Sequence, residues 1–241
     1  MSDSCSFSTW EPVYEAILSD LGFDRSADEA ARNAVAEIAQ PFDRSQLAHL
    51  DSATVAVVGA APSLSADLAS FDPGSLDAIV AASTAVDVLA AHGIGVDLMV
   101  TDLDKNVETA RELTHSGTPV AAHAHGDNIP TLREWLPRFD LGSTLVTTQA
   151  EPRGVVENFG GFTDGDRAAF IADAFGASEL QFLGWNFDDP SVDALKARKL
   201  RWAEQLLYWL ERRRDERFDV LDGRRGSLVE DPSTFSTDNG V

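Results

Sequence analysis

A single cysteine, Cys5, excludes a disulfide within the chain and any C-x-x-C motif for metal or redox chemistry. Lysine is nearly as scarce, with Lys105, Lys196 and Lys199 the only three among 19 bases. So few lysines beside 40 acids leave a surface that repels phosphate backbones, and general nucleic-acid binding is not expected. No apolar run reaches the 18 residues or so that mark a membrane span. The stretch from Met1 to Trp10 is polar and holds Asp3, unlike the cationic, apolar start of a secretion signal. A reduced thiol and no signal segment make the cytoplasm the expected compartment. No G-x-S-x-G elbow is present, so hydrolase chemistry of that kind is not indicated.

What is present is acid and a core. The formal net charge is −21, and aspartate outnumbers glutamate 26 to 14. Molar salt screens such self-repulsion to about 3 Å, so the bulk acidity reads as adaptation to a salt-rich cytoplasm. Most carboxylates are then surface, and only those in special contexts are candidates for chemistry. An apolar fraction of 44% over 241 residues suffices for one large domain or a domain with a small helical extension.

Along the chain, Trp10, Tyr14, Ile17 and Leu18 recur at helical spacing up to Gly22, and a second helix is expected over 28–40, before Pro41. Residues 1–50 thus read as an N-terminal helical cap. From Thr54 short apolar runs alternate with amphipathic stretches. Strands are expected at 54–58, 78–82, 97–100, 119–122, 144–147 and 180–183, with helices at 63–70, 85–92, 106–115, 130–136 and 164–175. The fold class is α/β: a mostly parallel sheet of about six strands with helices on both faces. A long helix over 192–214 ends the catalytic unit (51–217), and the polar residues 218–241 read as a mobile tail. In such sheets ligands bind beyond the carboxyl ends of the strands.

Four motifs sit at those ends. After the first strand, Gly59-Ala60-Ala61-Pro62-Ser63 is a sharp strand-to-helix turn whose free N–H groups suit phosphate. With one glycine it is neither a dinucleotide fingerprint nor a P-loop. After the third, Thr101-Asp102-Leu103-Asp104 delivers two carboxylates at i and i+2, on one side if the chain stays extended, as Mg²⁺ ligands would be. After the fourth, His123-Ala124-His125-Gly126-Asp127-Asn128 offers Asp127 to complete that metal site and His125 to contact phosphate. Zinc held by both histidines is a further option. The fourth motif runs from Asn158 through Gly160, Gly161, Thr163, Asp164 and Asp166 to Arg167. Its glycines allow close backbone approach, Thr163 and Asp166 form a capping box, and Arg167 can grip phosphate in a fork. Ordinary loops, turns and caps account for each motif as well. Thr148 and Gln149, at a strand end, suit the edge of a heterocycle or a loop hydrogen bond, and Lys199 suits a solvated helix face. Together the motifs describe a metal-and-phosphate site, for which phosphoryl transfer is the best-fitting chemistry.

Read in order, Trp10-Glu-Pro-Val-Tyr14-Glu-Ala-Ile-Leu18 and the four motifs resemble the archaeal 6-hydroxymethyl-7,8-dihydropterin diphosphokinase family, itself similar to thiamine diphosphokinases. The resemblance spans roughly residues 7–210 and includes the lysine-poor acidity of halophilic archaeal proteins. It implies a thiamine-diphosphokinase-like catalytic domain, ATP as co-substrate, Mg²⁺, and a pterin whose hydroxyl attacks the β-phosphorus. The small molecules ATP and pterin are then the partners, with a homodimer an option for assembly. Asp102, Asp104 and Asp127 match the metal-holding acids, and Asp102, Asp104 and Arg167 the catalytic set. Gly59, Ser63, Thr101, His125, Asn128, Gln149, Gly160, Gly161 and Asp164 fall to nucleotide or substrate. The general base stays open between a carboxylate of the trio, metal-bound water and His125. Three segments depart from the family pattern: Ala61 replaces a glycine, Ser83-Thr84 replaces Asp-Gly, and Lys105 replaces a glycine. A thiamine or other small-alcohol diphosphokinase, or a non-catalytic nucleotide or pterin sensor, is the alternative these departures allow.

Overall fold

The computed structural model describes residues 5–70, 74 and 76–237. Short, mostly apolar segments become strands: β1 (Thr54–Val58), β2 (Ala78–Ala82), β3 (Leu98–Thr101), β4 (Val120–Ala124) and β5 (Thr144–Thr148), nearly all buried on both faces, and the partly exposed edge strand β6 (Glu179–Leu183). They form one sheet in the order β5-β4-β3-β2-β1-β6, and every pairing is parallel. The expected strands are all present, with ends shifted by up to two residues. The chain steps one strand at a time from β1 to β5 and then returns across the sheet to place β6 against β1. Every strand therefore delivers its carboxyl end to the same edge.

Alternation along each strand feeds two cores. Val55 and Val57 face the layer of α1 (Phe7–Leu21), α7 (Asp164–Ala174) and α8 (Ala194–Arg214), where Trp10, Tyr14, Phe170 and Trp202 are buried. Ala56 and Val58 face the layer of α2 (Arg25–Ala36), α3 (Leu64–Ser70), α4 (Ala85–Ala91), α5 (Val107–His115) and α6 (Ile129–Trp135). The helices on both faces are as the pattern predicts. Gly22 ends α1 in a left-handed conformation, and Asp24 opens α2 three residues before its expected start by accepting the Ser26 N–H at 2.9 Å.

The N-terminal helices are built into the cores. Trp10 is fully buried and donates its indole N–H to the Gln149 carbonyl at 2.9 Å. Cys5 is buried as well. Asp28 on α2 is buried and accepts from the Tyr14 hydroxyl (2.7 Å), the Gln149 amide (2.7 Å) and the Gly126 N–H (2.8 Å). One carboxylate thus joins α1, α2 and the tips of β4 and β5.

Residues 218–237, whose polarity reads as a mobile tail, lie back over α8 and α1. Three anchors are hidden in the polar text. Phe218 is fully buried, with its ring 4.8 Å from that of Phe182. Gln205 exchanges two hydrogen bonds with Val229, at 2.8 and 3.0 Å, and Asp20 accepts from the Thr237 hydroxyl at 2.7 Å. No helix among the described residues is long and apolar enough to cross a membrane. Phe218→Ala is expected to cost about 3–5 kcal/mol in urea unfolding, as for a core aromatic. A tail free in solution would give no measurable loss.

Candidate functional site

A cavity of about 580 Å³ opens at the carboxyl edge of the sheet, and all six strand tips contribute to its wall. Gly59 follows β1, Ala82–Thr84 follow β2, Asp102 and Asp104 follow β3, His125–Asp127 follow β4, Gln149 follows β5, and Gly184–Asn186 follow β6. The start of α7 adds Asp164, Gly165 and Arg167. Phe23 to Asp28, around the start of α2, close one side, and Lys196, Lys199 and Leu200 of α8 close another.

The turn after β1 differs from its expected role. The Gly59 N–H donates to the Leu183 carbonyl at 2.8 Å and the Ala61 N–H to the Gly184 carbonyl at 2.9 Å. These donors lace β1 to β6 and are not left for phosphate. Glycine is required because a Cβ on Gly59 would stand 2.6 Å from the Gly184 carbonyl oxygen. Ser63 is outside the cavity wall, its hydroxyl 3.2 Å from Asp67.

Asp102 and Asp104 do come together, by a different route from the extended chain the spacing suggests. Leu103 between them is buried in a left-handed conformation, φ +64°. Its N–H donates to Thr101 Oγ1 at 3.0 Å, and the Asp104 N–H donates to Asp102 Oδ1 at 3.1 Å. Thr101, fully buried, therefore shapes this turn and does not reach the cavity.

After β4 the motif divides its labour. Asn128 Oδ1 accepts the His125 N–H at 3.1 Å, while its Nδ2 donates to the Asp102 carbonyl at 2.7 Å and the His123 carbonyl at 2.8 Å. Asn128 pins the β3 and β4 tips together and does not line the cavity. His123 is buried with Nδ1 3.0 Å from Thr147 Oγ1, and its ring stacks 6.0 Å from that of His125. His125 stands between carboxylates, with Nδ1 2.6 Å from Asp127 and Nε2 3.4 Å from Asp102. Asp127, turned to His125, has a side chain 90% exposed. Among the described residues no group of three or more His, Cys, Asp or Glu side chains can hold a metal ion by itself. The expected Asp102–Asp104–Asp127 cage is not assembled, since His125 holds Asp127 at the surface, and neither is a two-histidine zinc site: His123 is buried with Nδ1 on Thr147 and Nε2 unpartnered.

Gly160 and Gly161 also serve packing and not the cavity. Both adopt positive φ, and a Cβ on Gly161 would collide with the backbone of Arg167. The Asp166 carboxylate accepts from the N–H groups of Phe162 (2.6 Å) and Thr163 (2.9 Å), as the expected capping box requires. So held, α7 points its first turn into the cavity. Arg167, only 3% exposed, donates to the Phe162 carbonyl at 2.8 Å and pairs with Asp164 at 3.3 Å, and its buried Nε has no partner. Of the two residues at the β5 end, Gln149 lines the cavity and Thr148 does not.

The carboxylates are electrostatically tense. Burial, then the charge of Asp102, pushes Asp164 up to about 7. Burial and the hydrogen bond that its protonated form donates to Asp102 raise Asp104. Burial also works against ionised Asp102, yet hydrogen bonds from His125 and Asp104 outweigh it and hold this carboxyl well below its usual range. His125 is desolvated too, but the hydrogen bond and charge of Asp102 raise it and favour the imidazolium. Burial and the Arg167 charge keep His123 neutral. Buried carboxylates whose proton affinities are pushed apart by one another in a cleft mark a candidate functional site. The acid that feels both Asp102 and Asp104 is Asp164, whereas the sequence spacing nominates Asp127.

Several wall residues carry no sequence signal. Asp28 is one acid among 40, and Gly184 and Trp185 follow an unremarkable strand. The lysines did carry one, through their rarity: all three line this cavity.

With its folded value raised from 3.8 to about 7, Asp164 favours the native state only while protonated. Its stabilising contribution is whole below pH 3.8 and is lost as pH rises through about 7. Without added cation, the wild-type melting temperature is expected to fall relative to that of Asp164→Asn between those pH values. Parallel pH profiles of the two proteins would contradict this.

A family model described as 6-hydroxymethylpterin diphosphokinase MptE-like matches residues 26–191. The chain is 37% identical over 229 residues to a Methanothermobacter thermautotrophicus protein named 6-hydroxymethyl-7,8-dihydropterin pyrophosphokinase, covering 87% of this chain and 97% of that one. Proteins of the same name from Pyrococcus furiosus and Methanocaldococcus jannaschii are 36% identical over 221 residues and 30% over 228. Each alignment covers 84% of this chain and, respectively, 93% and 94% of the relative.

Proposed function

The chain belongs to the MptE-like 6-hydroxymethylpterin diphosphokinase family, and on that premise we propose that it transfers a diphosphoryl group from ATP to the hydroxymethyl group of 6-hydroxymethyl-7,8-dihydropterin. AMP and the pterin diphosphate are the products. The observation that carries this reading is the convergence of Asp102, Asp104 and Asp164 with Arg167 in one cavity lined by every strand tip. Its volume of about 580 Å³ suits small-molecule substrates. Phe23 and Phe162, stacked with centroids 6.3 Å apart on its wall, offer apolar faces to a planar ring.

The donor set fits a hard divalent cation such as Mg²⁺. Asp102 and Asp104 are crowded enough for one to be driven toward its protonated form. Mg²⁺ is commonly held by one or two carboxylates completed by substrate phosphates, so a full protein cage is not required. Asp102 and Asp104 would hold it, and when bound it supplies neutralisation of charge on the phosphate oxygens.

In the proposed reaction the pterin hydroxyl oxygen forms a bond to the β-phosphorus while the bond from that phosphorus to the α,β-bridging oxygen breaks. AMP leaves with the electron pair. Asp164, pushed up to about 7, is matched to accept the hydroxyl proton near neutral pH. Arg167 contributes fixed positive charge, and the His125 imidazolium balances Asp102 from the β4 side.

The test is incubation with ATP, Mg²⁺ and 6-hydroxymethyl-7,8-dihydropterin in molar KCl, with thiamine in a parallel arm. AMP and pterin diphosphate are expected together, and their joint absence would remove the reading. Asp102→Asn keeps the side-chain acceptor for the Asp104 N–H and so retains the turn, while loss of the charge supported by His125 lowers its melting temperature; unchanged circular dichroism certifies its fold. Turnover by that variant is expected to fall at least about 100-fold, since electrostatic positioning of transferring phosphoryl groups is worth that much. A near-normal rate would show Asp102 to be a bystander.

A further inference from the structure

We propose that Lys196 and Lys199, one turn apart on α8, grip the polyphosphate of the nucleotide, an inference that rests on the diphosphokinase reading above. The first observation is placement. The chain has 19 bases, yet its three lysines all line the one cavity. The second is that they are not paired with carboxylates. Among the described residues no lysine stands within 4.0 Å of a carboxylate, although the chain carries 40 acids. Arginines, by contrast, are tied into the fold: Arg214 pairs with Asp173 and Glu216, both at 2.6 Å, and Arg25 with Glu11, Glu15 and Glu29.

A three-residue spacing puts both side chains on one helix face. Lys199 Nζ lies 5.4 Å from the ring centroid of Phe23 and 6.0 Å from that of Phe162, so its stem and ammonium are held at the cavity mouth. The charge of Lys196 is felt by Asp104 and Asp164 across the cavity. Lys105, beside Asp104, supplies a third positive charge from the β3 side. In a chain of net charge −21 an incoming polyphosphate meets general repulsion. Unpaired ammonium groups beside the acids are where that repulsion reverses. A flexible stem suits a ligand whose charge moves from the β- to the α-phosphate as the bond breaks, whereas a rigid guanidinium fork suits a fixed partner.

Binding of ATP and of inorganic tripolyphosphate, measured by calorimetry at two salt concentrations, tests the proposal without relying on turnover. The double variant Lys196→Met/Lys199→Met keeps the aliphatic stems, and unchanged circular dichroism and melting temperature would certify its fold. Loss of two charge-assisted contacts is expected to weaken both ligands about 100-fold and to flatten the salt dependence. Affinity for 6-hydroxymethylpterin, which has no phosphate, should stay within about twofold, far below the tenfold step of 1.4 kcal/mol. If the double variant misfolds, the single Lys196→Gln is read in the same assay, where about tenfold is expected. ATP and tripolyphosphate affinities equal to wild type, or no binding of either by wild type, would overturn the proposal. If wild type binds both with this lysine dependence yet forms no pterin diphosphate, the diphosphokinase reading fails while the phosphate grip stands.

Discussion

The structure depends on one directional constraint: six strands run the same way, so six carboxyl ends meet one edge. Parallel strands need crossovers, and here the crossovers cover both faces and leave that edge as the open side. The chain's return from β5 to β6 sets the last strand beside the first. At that seam Gly59 and Gly184 approach so closely that neither has room for a side chain. The loops on either side can then separate into a cavity wall, which is the switch-point geometry of open α/β sheets.

Packing at the edge creates an electrostatic problem that the fold only partly solves. Asp102 and Asp104 from the loop after β3 and Asp164 from the first turn of α7 enter one space. Burial, and after it their mutual repulsion, raises the affinity of Asp104 and Asp164 for protons. Arg167 and His125 offset part of that repulsion, and Asn128 pins the β3 tip that carries Asp102 to the β4 tip. The Asp28 hub performs a related task on the far side, where three donors fix α2 against the β4 and β5 tips and so form the wall that carries Phe23.

Positive charge is used in two distinct ways. Outside the cavity arginine is structural: Arg214 and Arg225 each join two acids and hold the segment after α8 in place, and Arg167 is the arginine that reaches the cavity wall. Lysine is confined to the cavity. The division follows from the two side chains. A planar guanidinium forms bidentate, orientated pairs suited to a scaffold, and an ammonium remains a mobile, hydrated point charge suited to exchange with a ligand.

Much of this was determined by the sequence alone. Continuous apolar runs of four or five residues, alternating with helical periods, specify buried parallel strands, because only crossovers can cover both faces. The Asp-x-Asp and Asn-Phe-Gly-Gly segments lie directly after such runs, or open the next helix, so their position at the sheet edge was legible as well. What each side chain does there was decided by tertiary structure. Local spacing cannot foresee that Leu103 turns left-handed, that Gly59 and Ala61 spend their N–H groups on β6, or that His125 draws Asp127 outward. Nor can it foresee that Asp28, Phe218 and the lysines of α8 meet partners far away in sequence. The reason is physical. Periodicity reports which face of an element is dry, but hydrogen bonds and charges are shared among elements that meet only after the sheet has formed.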